Sequence, residues 1–156
     1  MKTLVIFVGK TTNKHIVAEI NDYIERIKHY MPFEICIIPE LKNTKKLTES
    51  QQRTLEGEFI LKQLAPSDTV VLLDEHGDEL RSMEFAMWLE KKRTMARRLI
   101  FVVGGPYGFS EQVYNRANEK LSLSKMTFSH QLIRVIFTEQ LYRACTIIKG
   151  EPYHHE

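Results

Sequence analysis

Residues 99–108 read LIFVVGGPYG. Five apolar residues open directly into a loop with three glycines and a proline. A run this short and continuous is that of a strand buried on both faces, since a half-buried strand would alternate. Three upstream segments repeat the design. Thr3 to Val8 is a β-branched apolar run ended by Gly9, and Phe33 to Ile38 is nearly all apolar and closed by Pro39. Thr69 to Leu73 runs into the polar turn Asp74, Glu75, His76 and Gly77.

Helical patterns fall between these strands. Ile16, Val17, Ile20, Tyr23, Ile24 and Ile27 recur at helical spacing, and Pro32 stops the run. Residues 42–63 predict a loop and then a helix periodic through Leu55, Phe59, Ile60 and Leu64. Ser82 caps a helix through Lys91, and Ser110 with Glu111 starts one reaching about Asn118. Leu121 to Phe128 is a strand or an ordered loop. A closing helix from Gln131 to Ile148 carries Leu132, Val135, Ile136, Leu141, Ala144, Cys145 and Ile148, and Gly150 ends it. Strands alternating with helices imply an α/β layer structure with a mainly parallel sheet. Ligands of such sheets sit beyond the carboxyl ends of the strands, which directs attention to the loops after Leu73 and Val103.

A length of 156 residues suits a single domain, residues 1–156. With 43% hydrophobic and 27% charged residues the chain can bury a core and is neither disordered nor disulfide-dense. The opening apolar run is too short for a signal peptide and nothing approaches a membrane span, so a cytoplasmic protein is expected. Cys36 and Cys145 lie outside any C-x-x-C pattern, which predicts reduced thiols and no metal. Net charge is only +2. A polyanionic partner must therefore be met by local basic groups: Lys42, Lys45 and Lys46, then Lys91, Lys92, Arg93, Arg97 and Arg98, then Arg134 and Arg143.

Gly9-Lys10-Thr11 is not a phosphate loop, because that motif needs glycine where Leu4 stands. No G-x-G-x-x-G follows a strand, which removes the usual dinucleotide folds. Gly104, Gly105, Pro106 and Gly108 suit either a loop that wraps a flat cofactor or a plain tight turn. In residues 129–144, SHQLIRVIFTEQLYRA, Ser129 can cap a helix bearing His130, Arg134, Glu139 and Arg143. Arg134 and Arg143 are about two and a half turns apart, so they need not share a face. Tyr153, His154 and His155 form either a frayed end or an ordered substrate contact.

LLDEHG at 72–77, FVVGGPYG at 101–108, LSLSKMTFSHQLIRV at 121–135, EQLYRA at 139–144 and EPYHH at 151–155 stand in one order along the whole chain. Together they closely resemble the bacterial pseudouridine N3-methyltransferases of large-subunit ribosomal RNA, a SPOUT family. The resemblance implies a parallel sheet with helices on both faces and a C-terminal trefoil knot, which the general avoidance of knots would have excluded. It also implies a homodimer and S-adenosylmethionine surrounded by Leu73, Gly104, Leu123, Ser124, Lys125, Met126, Thr127 and Phe128, with Gly105 as a neighbour. By the same likeness His130 and Arg134 are placed in catalysis, and Arg143, Tyr153 and His154 against the RNA. His155 departs from the family, where a basic residue is common, and this weakens an expected phosphate contact.

The chemistry that follows is in-line methyl transfer to a nitrogen that must lose its proton. An imidazole suits the base, and an arginine the developing anion. His130 could equally serve to position RNA. A readable target lies in an RNA loop rather than an A-form stem. The competing readings are a non-catalytic RNA-binding assembly factor, a flavin-binding electron carrier and a transfer-RNA methyltransferase of the same superfamily.

Overall fold

A computed structural model describes residues 2–155. Strands β1 (Lys2–Val8), β2 (Phe33–Ile38), β3 (Thr69–Glu79), β4 (Arg98–Val103) and β5 (Glu119–Ser122) form one sheet in the order β2-β1-β4-β3-β5. All neighbours are parallel. Parallel pairing demands crossovers. Helices α1 (Lys14–Lys28), α2 (Glu49–Lys62), α3 (Ser82–Met95) and α4 (Glu111–Arg116) occupy them, and α5 (Leu132–Lys149) closes the chain.

The two-residue period of the strands divides the core into two layers. Val5, Phe7, Val71, Leu99 and Phe101 pack with α1, α3 and α5, where the Phe101 and Phe137 rings lie 4.8 Å apart. Leu4, Ile6, Val70, Ile100 and Val102 pack on the other face against Ile60 of α2 and Val113 of α4. Such continuous apolar strands are those of a sheet covered on both sides.

Four local expectations are corrected. β2 is an edge strand, and Ile37 is 49% exposed, because strand order leaves β2 only β1 as a neighbour. On α2 the buried positions are Glu56, Gly57 and Ile60, while Leu55 and Phe59 are exposed. Gly57 faces Ser110 so closely that a Cβ would stand 2.5 Å from its Oγ, which turns that stripe toward α4. Ser82 is the first residue of α3 rather than its cap; its hydroxyl donates to Gln140 Oε1 at 2.8 Å. Finally, β3 does not end at Leu73 but resumes after an irregularity that leaves both Leu73 and Asp78 opposite Leu121.

α5 also differs from its expected stripe. Leu132 is 44% exposed, and the buried side is formed by Arg134, Phe137, Thr138, Leu141, Ala144, Cys145 and Thr146. Gly150 caps the helix in the left-handed region, as its position predicts. No helix among the described residues is long and apolar enough to cross a membrane.

Candidate active site

Beyond the carboxyl ends of β3 and β4 lies an open cleft of about 1220 Å³. Its walls are the turn after Leu73, the glycine loop after Val103, the segment from Leu121 to His130, and Glu49, Ser50, Arg53 and Thr54 at the start of α2. The parallel sheet causes this convergence: all its strands deliver their exits to one edge.

Each wall has a local reason for its shape. Gly108 has φ +80°, and its N–H donates to the Gly105 carbonyl at 3.2 Å, so the glycine loop folds back on itself. At Gly77, in the irregular stretch of β3 after Leu73, a Cβ would stand 2.6 Å from the Leu121 nitrogen, so only glycine lets this stretch lie against β5. Ser122 Oγ donates to the Ser124 carbonyl at 2.8 Å, and Ser124 Oγ accepts from the Met126 N–H at 3.0 Å. These bonds shape residues 122–126 as a turn. Ser129 Oγ then accepts from Leu132 N–H at 3.0 Å, which starts α5 directly after exposed His130.

Asp74 is the polar anchor of the cleft. Its Oδ1 accepts from the His76 N–H at 2.8 Å, and its Oδ2 accepts from the Tyr114 hydroxyl. Burial works against the charged carboxylate, but these bonds outweigh it and hold the Asp74 carboxyl below its ordinary range, while burial and Asp74 together push the Tyr114 phenol up. Behind the glycine loop, burial raises the pKa of Glu56, whose Oε1 lies 3.1 Å from where a Cβ on Gly105 would stand.

These walls form an apolar slot from Leu73, Val103, Leu121, Leu123 and Ile133, with main-chain groups and carboxylates at its rim. Such a site suits a flat heteroaromatic ring carrying a cationic appendage. The family described as "Predicted SPOUT methyltransferase" matches residues 1–154. The chain belongs to that family. The match agrees with proteins named ribosomal RNA large subunit methyltransferase H. That of Bacteroides fragilis is 62% identical over all of both chains, that of Phocaeicola vulgatus 60% and that of Porphyromonas gingivalis 52%, again over all of both chains. The cofactor of a SPOUT methyltransferase is S-adenosylmethionine.

Within this SPOUT methyltransferase, Leu73, Gly104, Gly105, Leu123, Ser124, Met126, Thr127, Phe128 and His130 all line the cleft. Lys125 does not; it is exposed between lining residues. Arg134 lies elsewhere. Fully buried, it donates from Nη1 to the Gly9 carbonyl at 2.9 Å and Thr11 Oγ1 at 2.8 Å. With these acceptors its guanidinium ties α5 to the end of β1 and does not reach into the cleft. Gln131 makes a second tie: its Oε1 accepts from Thr12 N–H at 2.9 Å, and its Nε2 donates to the Lys10 carbonyl at 3.3 Å.

Arg143, Tyr153 and His154 form a separate cluster. Glu139 Oε1 accepts from Arg143 Nη2 at 2.6 Å and from the Tyr153 hydroxyl at 3.0 Å, and Arg143 Nη1 lies 3.1 Å from His154 Nδ1. The tail is therefore ordered against α5 rather than frayed. Arg143 stands eleven residues past the start of α5, about 16 Å along the axis from the end that borders the cleft. Asp74, Tyr114 and Arg53 escaped the sequence reading. For Asp74 a signal existed, since it directly follows a buried strand at the edge where ligands gather.

Proposed function

We propose that this protein transfers a methyl group from S-adenosylmethionine to N3 of a pseudouridine in large-subunit (23S) ribosomal RNA, on the assembled ribosome in the cytoplasm. The reading is carried by end-to-end likeness to proteins named ribosomal RNA large subunit methyltransferase H, joined to a cleft at the matching motifs. The pseudouridine and its N3 rest on the motif resemblance. S-adenosylmethionine, when bound, supplies a methyl group open to in-line attack.

The protein's own residues then have three tasks. Leu73, Gly104, Gly105 and residues 123–128 hold the donor through apolar contacts and main-chain bonds; Lys125, outside the lining, contributes through its backbone. His130, at the cleft and exposed, takes the proton from N3. Arg143, Tyr153 and His154 hold the RNA, and Arg143 also stabilises the anion in place of Arg134, which the core retains.

The distance of that cluster from its own cleft supports a homodimer in which the tail serves the partner's cleft. Exposed apolar side chains agree with such an interface. Met83 and Met87, one turn apart on α3, are 39% and 66% exposed, and a second cleft of about 380 Å³ lies between Leu80, Phe85, Leu123 and Ile136. The path of the chain supports a trefoil knot: from β5, outside β3, it returns along the carboxyl edge past two loops to grip the β1 exit through Gln131.

Incubation with S-adenosylmethionine carrying a labelled methyl group tests the reaction. Label is expected in the large-subunit RNA of ribosomes from cells lacking the modification, and not in their small-subunit RNA or in transfer RNA. Tight binding of ribosomal RNA with no incorporation would instead leave an assembly factor.

A further inference from the structure

We infer that the exits of β1 and β2 form a phosphate-binding flank beside the cleft, in which Lys10, Lys14, Lys42, Lys45 and Lys46 grip the RNA backbone next to the methylated nucleotide. The inference rests on the ribosomal-RNA reading and names the surface that holds the substrate.

The two exits are physically joined to the cleft and to each other. Gln131, the residue after His130, holds both the Lys10 carbonyl and the Thr12 N–H. The β1 exit is thus tied to the chain beside the proposed base. β1 and β2 end in register at Val8 and Ile38, and Gly9 N–H donates to the Ile38 carbonyl at 2.8 Å. A Cβ on Gly9 would stand 3.0 Å from Glu40 Cγ, so the two exits emerge in contact. From there the chain passes Lys42, Lys45 and Lys46 and enters α2 at Glu49, where Glu49, Ser50 and Arg53 form the far wall of the cleft. The lysines therefore follow an arc from the Gln131 tie, one residue from His130, to the wall of the cleft at the start of α2.

Charge along this arc is one-sided. All five lysines are exposed, and among the described residues none forms an ion pair, whereas Lys2, Lys28 and Lys92 on other elements are paired with Glu34, Glu25 and Glu119. Within residues 9–14 and 39–48 the single acid is Glu40, which lies over Gly9 and near the Arg134 guanidinium. Unpaired lysines crowded along one path repel one another, and a polyphosphate chain removes that repulsion. The modest net charge of +2 is thus compatible with a polyanionic substrate because the positive groups are concentrated.

Two proteins and two readouts test this. Lys10, Lys14, Lys45 and Lys46 are changed together to glutamine, which leaves the Lys10 carbonyl and its bond to Gln131 in place. A Lys62→Gln, Lys149→Gln protein, altered at exposed lysines in the last turns of α2 and α5, is the control. Binding to purified large ribosomal subunits is measured by co-sedimentation across a salt series, and methylation by nucleoside mass spectrometry. In the quadruple variant the slope of log K against log salt should fall by about 3, which weakens binding by about 1000-fold at 0.1 M salt. Calorimetric affinity for S-adenosylmethionine should stay unchanged, and the control should behave as wild type.

Unchanged binding and slope in the quadruple variant would overturn the flank, whether or not the wild type methylates. Equal weakening in the control would overturn it too, by showing nonspecific charge. Wild type that binds through these lysines yet yields no methylated nucleoside would leave the flank standing and remove the proposed reaction.

Discussion

The Arg134 guanidinium lies 4.7 Å from the centre of the Phe7 ring and donates from Nη2 to the carbonyl of Val8 at 2.7 Å. Burial pushes its pKa down to about 10, so it stays charged at neutral pH. An arginine that sequence reasoning assigns to catalysis thus joins α5 to the first strand. Substituting methionine would leave the Val8 and Gly9 carbonyls and the Thr11 hydroxyl without this donor, at a cost of about 3 kcal/mol. Urea denaturation of Arg134→Met should show a correspondingly lower midpoint; a midpoint equal to wild type would refute this role.

His130 and His76 both line the cleft, and His130 is the one in the segment that leads into α5. If it takes the proton from the attacked nitrogen, His130→Ala should lower the maximal rate about 100-fold while S-adenosylmethionine affinity changes little. Rapid-quench measurement at saturating cofactor and ribosome separates the two effects. An unchanged rate would eliminate the base role and leave positioning of RNA.

What the sequence made legible, and what it hid, follows from the range of the physics involved. Continuous apolar runs disclosed β1, β3 and β4 because double-sided burial leaves a local mark. Strand order leaves none, which is why β2 reads as covered on both faces although it lies at an edge. The cleft loops could be found because ligands of parallel sheets gather at one edge, and the glycine loop after Val103 stands there. The motif likeness and its charge drew Arg134 toward the active site, although with Phe137, Thr138 and Leu141 it falls on one helical stripe, a periodicity that puts it inside. The ties from Gln131 to the β1 exit join residues more than a hundred positions apart and had no local signal.

Gly77 allows the irregular stretch of β3 between Leu73 and Asp78 to press against the backbone of Lys120 and Leu121. Gly77→Ala should force β5 away, costing about 2 kcal/mol in stability. Because residues 123–128 continue from β5, affinity for S-adenosylmethionine should fall about tenfold, or 1.4 kcal/mol. Calorimetry checks the affinity, and wild-type binding would show that this contact does not shape the cofactor segment.

Asp68 carries the clearest acid-sensitive link. Arg98 reaches it with Nε at 2.9 Å and Nη2 at 2.7 Å, and the Ala65 N–H donates to it at 2.6 Å. The Arg98 hydrogen bond, partly opposed by burial, holds the carboxyl below its ordinary range. A depressed folded pKa gives stability that is complete above the unfolded value near 3.9 and is lost as pH falls through the folded one. Wild type should therefore exceed Asp68→Asn by about 2 kcal/mol from pH 8 to 5. The gap should begin to narrow as pH drops below the unfolded value and close as it falls through the folded one. Chemical denaturation at several pH values checks this, and a gap that persists in acid would contradict it.

The most direct measurement is nucleoside mass spectrometry after the protein and S-adenosylmethionine are incubated with two matched sets of ribosomes. Both lack the modification, and one carries uridine in place of the target pseudouridine. Methylated pseudouridine should appear in the first set and no methylated nucleoside in the second. Product in neither set, or equal product in both, would contradict methyl transfer to pseudouridine as the task of this cleft.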